Sequence, residues 1–153
     1  MFGIDRMGSA SKKLVPFLVF LVLACLLWVE QERSGDAGGP SHRGDDALAT
    51  AFEHRRGNVS VEGEGIVIKV LPDDNDGSRH QRFIVKLRSG QTLMIAHNID
   101  LARRISSLSE GDSIAFHGEY EWNSQGGVIH WTHHDPGGRH VAGWLMHDGK
   151  KYQ

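Results

Sequence analysis

From Val59 to Thr132 the chain alternates apolar and polar residues in short runs, and the runs are separated by glycine, proline, asparagine and aspartate. A period of two sends neighbouring side chains to opposite faces of an extended strand, so this pattern calls for half-buried strands rather than amphipathic helices. Val59 to Leu71 forms one long run, with Gly63 and Gly65 inside it where a strand bends or bulges. Arg79 to Leu87 is a second strand, with Phe83, Val85 and Leu87 on one face and His80, Arg82, Ile84 and Lys86 on the other. Thr92 to His97 is a third strand, with Leu93, Ile95 and His97 sharing a face. Ser113 to Trp122 is the fourth strand and Val128 to Thr132 the fifth, joined by the turn Asn123 to Gly127. One more short strand is expected around Trp144.

Between the third and fourth strands, Asp100 to Ile105 reads as a short helix with Asp100 as its cap. Three strands, a short helix and a hairpin make the order of an OB-fold. Leu108, Gly111, Asp112, Ile114, Phe116 and Gly118 also have the spacing that leads into the fourth strand of many OB-folds. The expected fold class is therefore all-β, a small OB-like five-stranded barrel with one short helix, in which closure removes the sheet edges. A β-sandwich is the alternative, but it usually needs seven or more strands.

The N-terminal part is of another kind. Leu14 to Val29 is an unbroken apolar run behind Lys12 and Lys13, and Glu30, Glu32 and Arg33 close it. It falls slightly short of the about 20 residues of a full span, yet exceeds the about 7–15 residues of a cleaved signal core. With its positive flank N-terminal and no A-x-A cleavage site after it, the run reads as an uncleaved signal anchor. Val22 to Cys25 loosely resembles a lipobox, so a lipoprotein signal is the alternative. The expected layout is a cytoplasmic N-terminus over 1–13, a transmembrane signal anchor over 14–29, a flexible tether over 30–57 and the barrel over 58–153. Ser34 to Asp46 is rich in Gly, Ser and Asp, as a tether would be, and a short helical stretch is read at Ala47 to His54. This places the protein in the inner membrane as a single-pass chain, held through residues 14–29, with its C-terminal domain in the periplasm or outside the cell.

Several strings carry a family likeness: Arg79 to Phe83, Ser89 to Gln91, Ala96 to Asp100, Gly118 to Trp122, His130 to Pro136, and the ending Gly143-Trp144 and Gly149 to Gln153. On these, residues 63–153 resemble an uncharacterised bacterial domain-of-unknown-function family. The resemblance implies a small exported or membrane-anchored bacterial protein and brings no activity with it.

The candidate chemistry lies in the histidines, of which there are ten, against one cysteine and two tyrosines. A single cysteine excludes an intramolecular disulfide framework and any Cys-rich zinc site. Neutral imidazole is the commonest protein ligand for transition metals. His80 opens strand two and His97 closes strand three, so a hairpin between these strands sets them side by side. His130 lies on strand five, and strand alternation puts His130, Thr132 and His134 on one face. His80, His97, His130 and His134 are thus the candidate metal ligands, with a divalent metal such as zinc as the candidate cofactor. Arg82, Asn98, Trp131, His133 and Asp135 are candidate supporting or ligand-binding residues, Asp135 as the partner that would orient an imidazole. His117, beside Glu119 and Glu121, reads as part of a solvated strand face. The Asp73 to Gly77 turn fails the EF-hand register, because Pro72 would take its first position.

Three functions follow from this reading. The first is a non-catalytic ligand-binding module with a His-rich, metal-binding barrel end. The second is a metal-dependent hydrolase using the same cluster. The third is a metal-free domain that binds an envelope protein, a glycan or an oligonucleotide. With 17 Lys and Arg against 19 Asp and Glu, charge gives no support to a nucleic-acid partner. Walker A, dinucleotide and G-x-S-x-G signatures are absent.

Overall fold

The computed structural model describes residues 40–153. Residues 1–13, the apolar run 14–29 with its expected anchor or lipobox, and the first part of the expected tether lie outside the described residues. Among the described residues no helix is long and apolar enough to cross a membrane.

The described chain begins with helix α1 (Pro40–Glu53), followed by β1 (Val59–Val70), β2 (His80–Leu87), β3 (Thr92–Asn98), β4 (Ser113–Glu121), β5 (Val128–His130), β6 (Trp144–His147) and β7 (Lys150–Tyr152). The first five strands close a barrel in the order β1-β2-β3-β5-β4, with β4 returning to β1. All of these pairings are antiparallel except β3–β5, which is parallel. The hairpin of β6 and β7 adds to β4 outside the ring.

Closure depends on β1. Its first part, Val59 to Ile66, pairs with β4, and its second, Gly65 to Val70, pairs with β2. The change of partner falls at Gly65 and Ile66, followed by an irregularity between Val67 and Lys69. The glycines at this bend are needed for space. A Cβ at Gly63 would stand 2.7 Å from the Phe116 ring, and one at Gly65 2.9 Å from the Lys86 carbonyl oxygen.

Inside the ring, the alternate residues expected to face inward do so. Phe83, Val85, Leu87, Leu93, Ile95, Ile114, Phe116, Tyr120 and Ile129 are all buried. Burial of one such side chain contributes about 1.5–3 kcal/mol. Helix α1 starts inside the stretch read as tether, which corrects that boundary. Leu48 and Ala51 face inward and join the core, which is why these residues are ordered against the barrel. The helix comes so close to β1 that a Cβ on Gly44 would lie 1.8 Å from the Glu62 carbonyl oxygen.

The helix expected over Asp100 to Ile105 is absent; turns occupy that stretch. Two side chains take the groups a helix would have used. Arg79 claims the Asp100 carboxylate through its backbone N–H (2.7 Å) and its Nε (2.7 Å), so Asp100 is not a cap. The buried Gln81 amide then holds the main chain of Ile105. Its Nε2 donates to the Ile105 carbonyl (2.9 Å), and its Oε1 accepts the Ile105 N–H (2.9 Å). Ile105 is fully buried, so this amide satisfies two main-chain groups that water does not reach.

Replacing Gln81 by Ala leaves the Ile105 N–H without a partner, at about 1–3 kcal/mol, and leaves its carbonyl only the long bond from the Arg104 Nη1 (3.5 Å). The expected loss of stability is about 1–4 kcal/mol, measured as a fall in the urea unfolding midpoint with an unchanged slope.

Candidate functional site

The ends of β2, β3 and β5 and the segment after β5 enclose a cleft of about 340 Å³. His80, His130, His133, Trp131, Asn98 and Ser78 line it, with Ala96 and Leu101. The hairpin of β2 and β3 sets His80 directly opposite Asn98 and His97 opposite Gln81, so His80 and His97 lie on opposite faces of the sheet rather than side by side as expected. The Nδ1–H of His80 donates to the Ser78 carbonyl (2.8 Å), and that of His133 to the His134 carbonyl (2.8 Å). A carbonyl can only accept, so both rings keep Nε2 as the free acceptor or ligand atom. The Asn98 Oδ1 accepts the Asp100 N–H (2.9 Å).

His97, by contrast, is a core residue with no exposed surface. Its Nε2 donates to the Arg103 carbonyl (3.3 Å), and its Nδ1 accepts from the Thr132 hydroxyl (2.8 Å). Both ring nitrogens are used, so His97 holds the barrel end together and has no lone pair left for a metal. Burial pushes its pKa down to about 4, against the smaller opposing effect of the Arg103 hydrogen bond.

His134 is exposed, whereas Thr132 and His133 are buried. The alternation expected over His130 to His134 breaks at Trp131, where β5 has ended and φ is +54°. A left-handed residue reverses the phase of the side chains after it, so His133 turns inward in place of His134. Gly143 leaves room for this kink, since a Cβ there would lie 1.9 Å from the Trp131 carbonyl oxygen.

Asp135 is also buried, yet it serves the backbone. Its carboxylate accepts N–H groups from Gly137 (2.8 Å), Arg139 (2.5 Å) and His140 (2.9 Å). Those main-chain hydrogen bonds hold its carboxyl at about 2, well below the usual carboxylate range. The loop so folded lays His140 on the Trp131 ring, with centroids 3.8 Å apart and planes 16° off parallel. It also brings the His140 Nδ1 to 3.4 Å from the Glu119 Oε2.

Glu119 belongs to a group that the sequence reading passed over. Glu119, Glu121 and His130 each place one ligand atom within 4.8 Å of the other two. Among the described residues, His80, His97, His130 and His134 form no such group. The register explains the difference. Glu119 and Glu121 share a face of β4, and the hairpin sets Glu119 directly opposite His130 and Glu121 opposite Val128. Glu121 is fixed further by its Oε1, which accepts the Asn58 N–H (2.9 Å). The His130 Nε2 is buried, 3.9 Å from the Glu119 Oε1, and has no hydrogen-bond partner. Burial lowers the His130 pKa, and the neighbouring Glu119 and Glu121 charges partly offset this. The signal was present in the sequence. Counting outward from a turn centred on Ser124 and Gln125 pairs position 119 with 130.

The remaining charged candidates have structural partners. Arg82 donates to the Pro72 carbonyl (3.2 Å) and lies 3.5 Å from Asp74, while Arg79 pairs with Asp100 and Arg104 with Asp73. The acidic turn after β1 is thus tied to arginines, as a turn and not a calcium loop. The buried His147 bonds Asp112 through Nε2 (2.8 Å) and anchors β6. His117 accepts from Ser60 through Nε2 (3.3 Å), donates to the Ala142 carbonyl (3.2 Å) and stacks beside Trp144.

Fold and site together define a small closed β-barrel domain with a histidine-lined cleft at one end. The chain belongs to the family described as Protein of unknown function (DUF3465), whose match covers residues 34–153. Among curated proteins the chain finds no match.

The buried His97 makes stability depend on pH. Its folded pKa lies below the ordinary 6.5, so between about pH 6.5 and 4 the unfolded chain takes up a proton that the folded one refuses. Its contribution is fully present above pH 6.5 and is lost as pH falls toward 4, up to about 3 kcal/mol. Urea midpoints should therefore fall between about pH 7.5 and about pH 5, and fall less in His97→Gln. An equal fall in the variant would rule out His97 as the source.

Proposed function

We propose that this protein is a non-catalytic ligand-binding module whose histidine-lined barrel end holds a divalent metal, zinc in the first place. The observation that carries the reading is the convergence of His80, His130, His133 and Trp131 on one cleft, with the unpartnered, buried Nε2 of His130 at its side. The strand order with its parallel β3–β5 closure supports an OB-like description of the barrel. In such barrels ligands are taken up across strands two and three, and the cleft adjoins the ends of those strands.

Binding is favoured over hydrolysis because two of the four histidines that the hydrolase reading needs do not reach the cleft. The hydrolase reading called for His80, His97, His130 and His134 around one metal. His97 has both nitrogens bonded in the core, and His134 faces solvent. The pairing of Arg79, Arg82 and Arg104 with carboxylates reduces the basic character around β2 and β3 that an oligonucleotide would need. An envelope glycan or protein therefore fits better as the further partner, with residues 14–29 as the inner-membrane anchor and the barrel on the periplasmic side.

Elemental analysis of the full chain after zinc loading and dialysis tests the metal. About one zinc per chain is expected, and less than about 0.1 would sink the metal-binding reading. Location is tested separately in bacteria that express the full chain. Protease added to spheroplasts should digest the barrel domain, and complete protection would contradict the periplasmic placement.

A further inference from the structure

We infer that Glu119, Glu121 and His130 are the ligands of a divalent transition metal, and that His140 is a positioning residue for Glu119. The inference rests on the reading that this end of the barrel holds a metal, but it replaces the all-histidine donor set by a mixed one. Three features of the structure point to it.

The first is geometry. The three ligand atoms lie within 4.8 Å of one another. Donors around a tetrahedral zinc, with bonds of about 2.0–2.1 Å, stand about 3.3 Å apart, so small side-chain rotations close the set. They come from two adjacent strands in direct register, which gives the site a rigid base.

The second is the state of the donors. The His130 Nε2 is buried beside two carboxylates and bonds to nothing. An unmet polar atom in such a place is destabilising, and a cation bridging it to Glu119 and Glu121 removes that cost. Two carboxylates with one neutral imidazole also balance the charge of a divalent ion, and imidazole nitrogen with carboxylate oxygen is a donor set that zinc accepts. Three protein ligands leave the fourth position open, as a site that captures an exogenous ligand requires.

The third is the support around the donors. His140 stands 3.4 Å from the Oε2 of Glu119, and the Asp135-centred loop and the Trp131 ring hold it there. The Asn58 N–H fixes Glu121, and Gly57 makes space for that carboxylate, because a Cβ there would lie 1.9 Å from its Oε2. Metal ligands are typically oriented by such outer partners, whose loss costs about 10–100-fold in affinity.

Zinc affinity of the full chain, measured by competition with a chromophoric chelator, tests the assignment. Glu119→Gln, Glu121→Gln and His130→Ala should each weaken binding by more than about 100-fold, beyond the loss expected for an outer partner. His140→Ala and Gly57→Ala should weaken it about 10–100-fold, and His80→Ala, at a residue that lines the cleft but lies outside this donor set, should weaken it by less than about 10-fold. Far-UV circular dichroism confirms that each variant is folded. Cobalt in place of zinc gives a readout that a purely structural role would not move. Its visible d–d spectrum should change in His140→Ala, where Glu119 is released, and not in His80→Ala. If the wild-type chain takes up no zinc, the metal reading itself falls. If it takes up zinc that the three ligand variants retain and His80→Ala loses, that reading stands and the present assignment is overturned.

Discussion

Everything at the histidine-lined end of this barrel depends on β1 serving two partners. The strand pairs first with β4 and then with β2, and the change at Gly65 and Ile66 joins the two sides of the sheet into a ring. Without that bend the sheet would keep two long free edges, and the ends of β2, β3 and β5 would not face a common cleft. The bend in turn depends on the missing side chains at Gly63 and Gly65, where the Phe116 ring and the Lys86 carbonyl press against the strand. The turn between β4 and β5 sets the register of that hairpin, and with it the meeting of Glu119 and His130.

At the cleft, polar groups replace regular structure. The stretch after β3 has no helix, and the Gln81 amide and the Arg79–Asp100 pair hold it instead. The stretch after β5 turns on a left-handed Trp131 and folds around the Asp135 carboxylate. Non-glycine residues at positive φ cost of the order of 1–3 kcal/mol and persist where their surroundings require them. Here the surroundings are specific: Gly143 beneath the kink, and His140 stacked above the indole. The result is that His133 faces the cleft and His140 approaches Glu119.

Much of this could be read before the fold was seen. Strand alternation places Phe83, Val85, Leu87, Leu93 and Ile95 inside and gives the approximate limits of five strands. The same parity puts His97 with Leu93 and Ile95, so its place in the core was already implied by the strand that carries it. What was not legible was the loss of alternation at Trp131. Local pattern assumes an extended chain, and the kink comes from packing against Gly143. The helix expected at Asp100 failed for a similar reason, since its capping carboxylate was claimed by Arg79, just before β2.

The sequence by itself determined the all-β class, the identity of the inward faces and the hairpin that unites β4 with β5. These depend on the period of two and on turn residues, which act between near neighbours. It also made histidine the main candidate donor, since the chain has ten histidines and a single cysteine. Only the tertiary structure decided which of them meet. Ring closure buries His97, the kink at Trp131 exchanges His133 for His134, and the Asp135 loop delivers His140 to Glu119. Each of these depends on groups far apart in the chain coming within a few ångströms, and that is settled by packing rather than by sequence period.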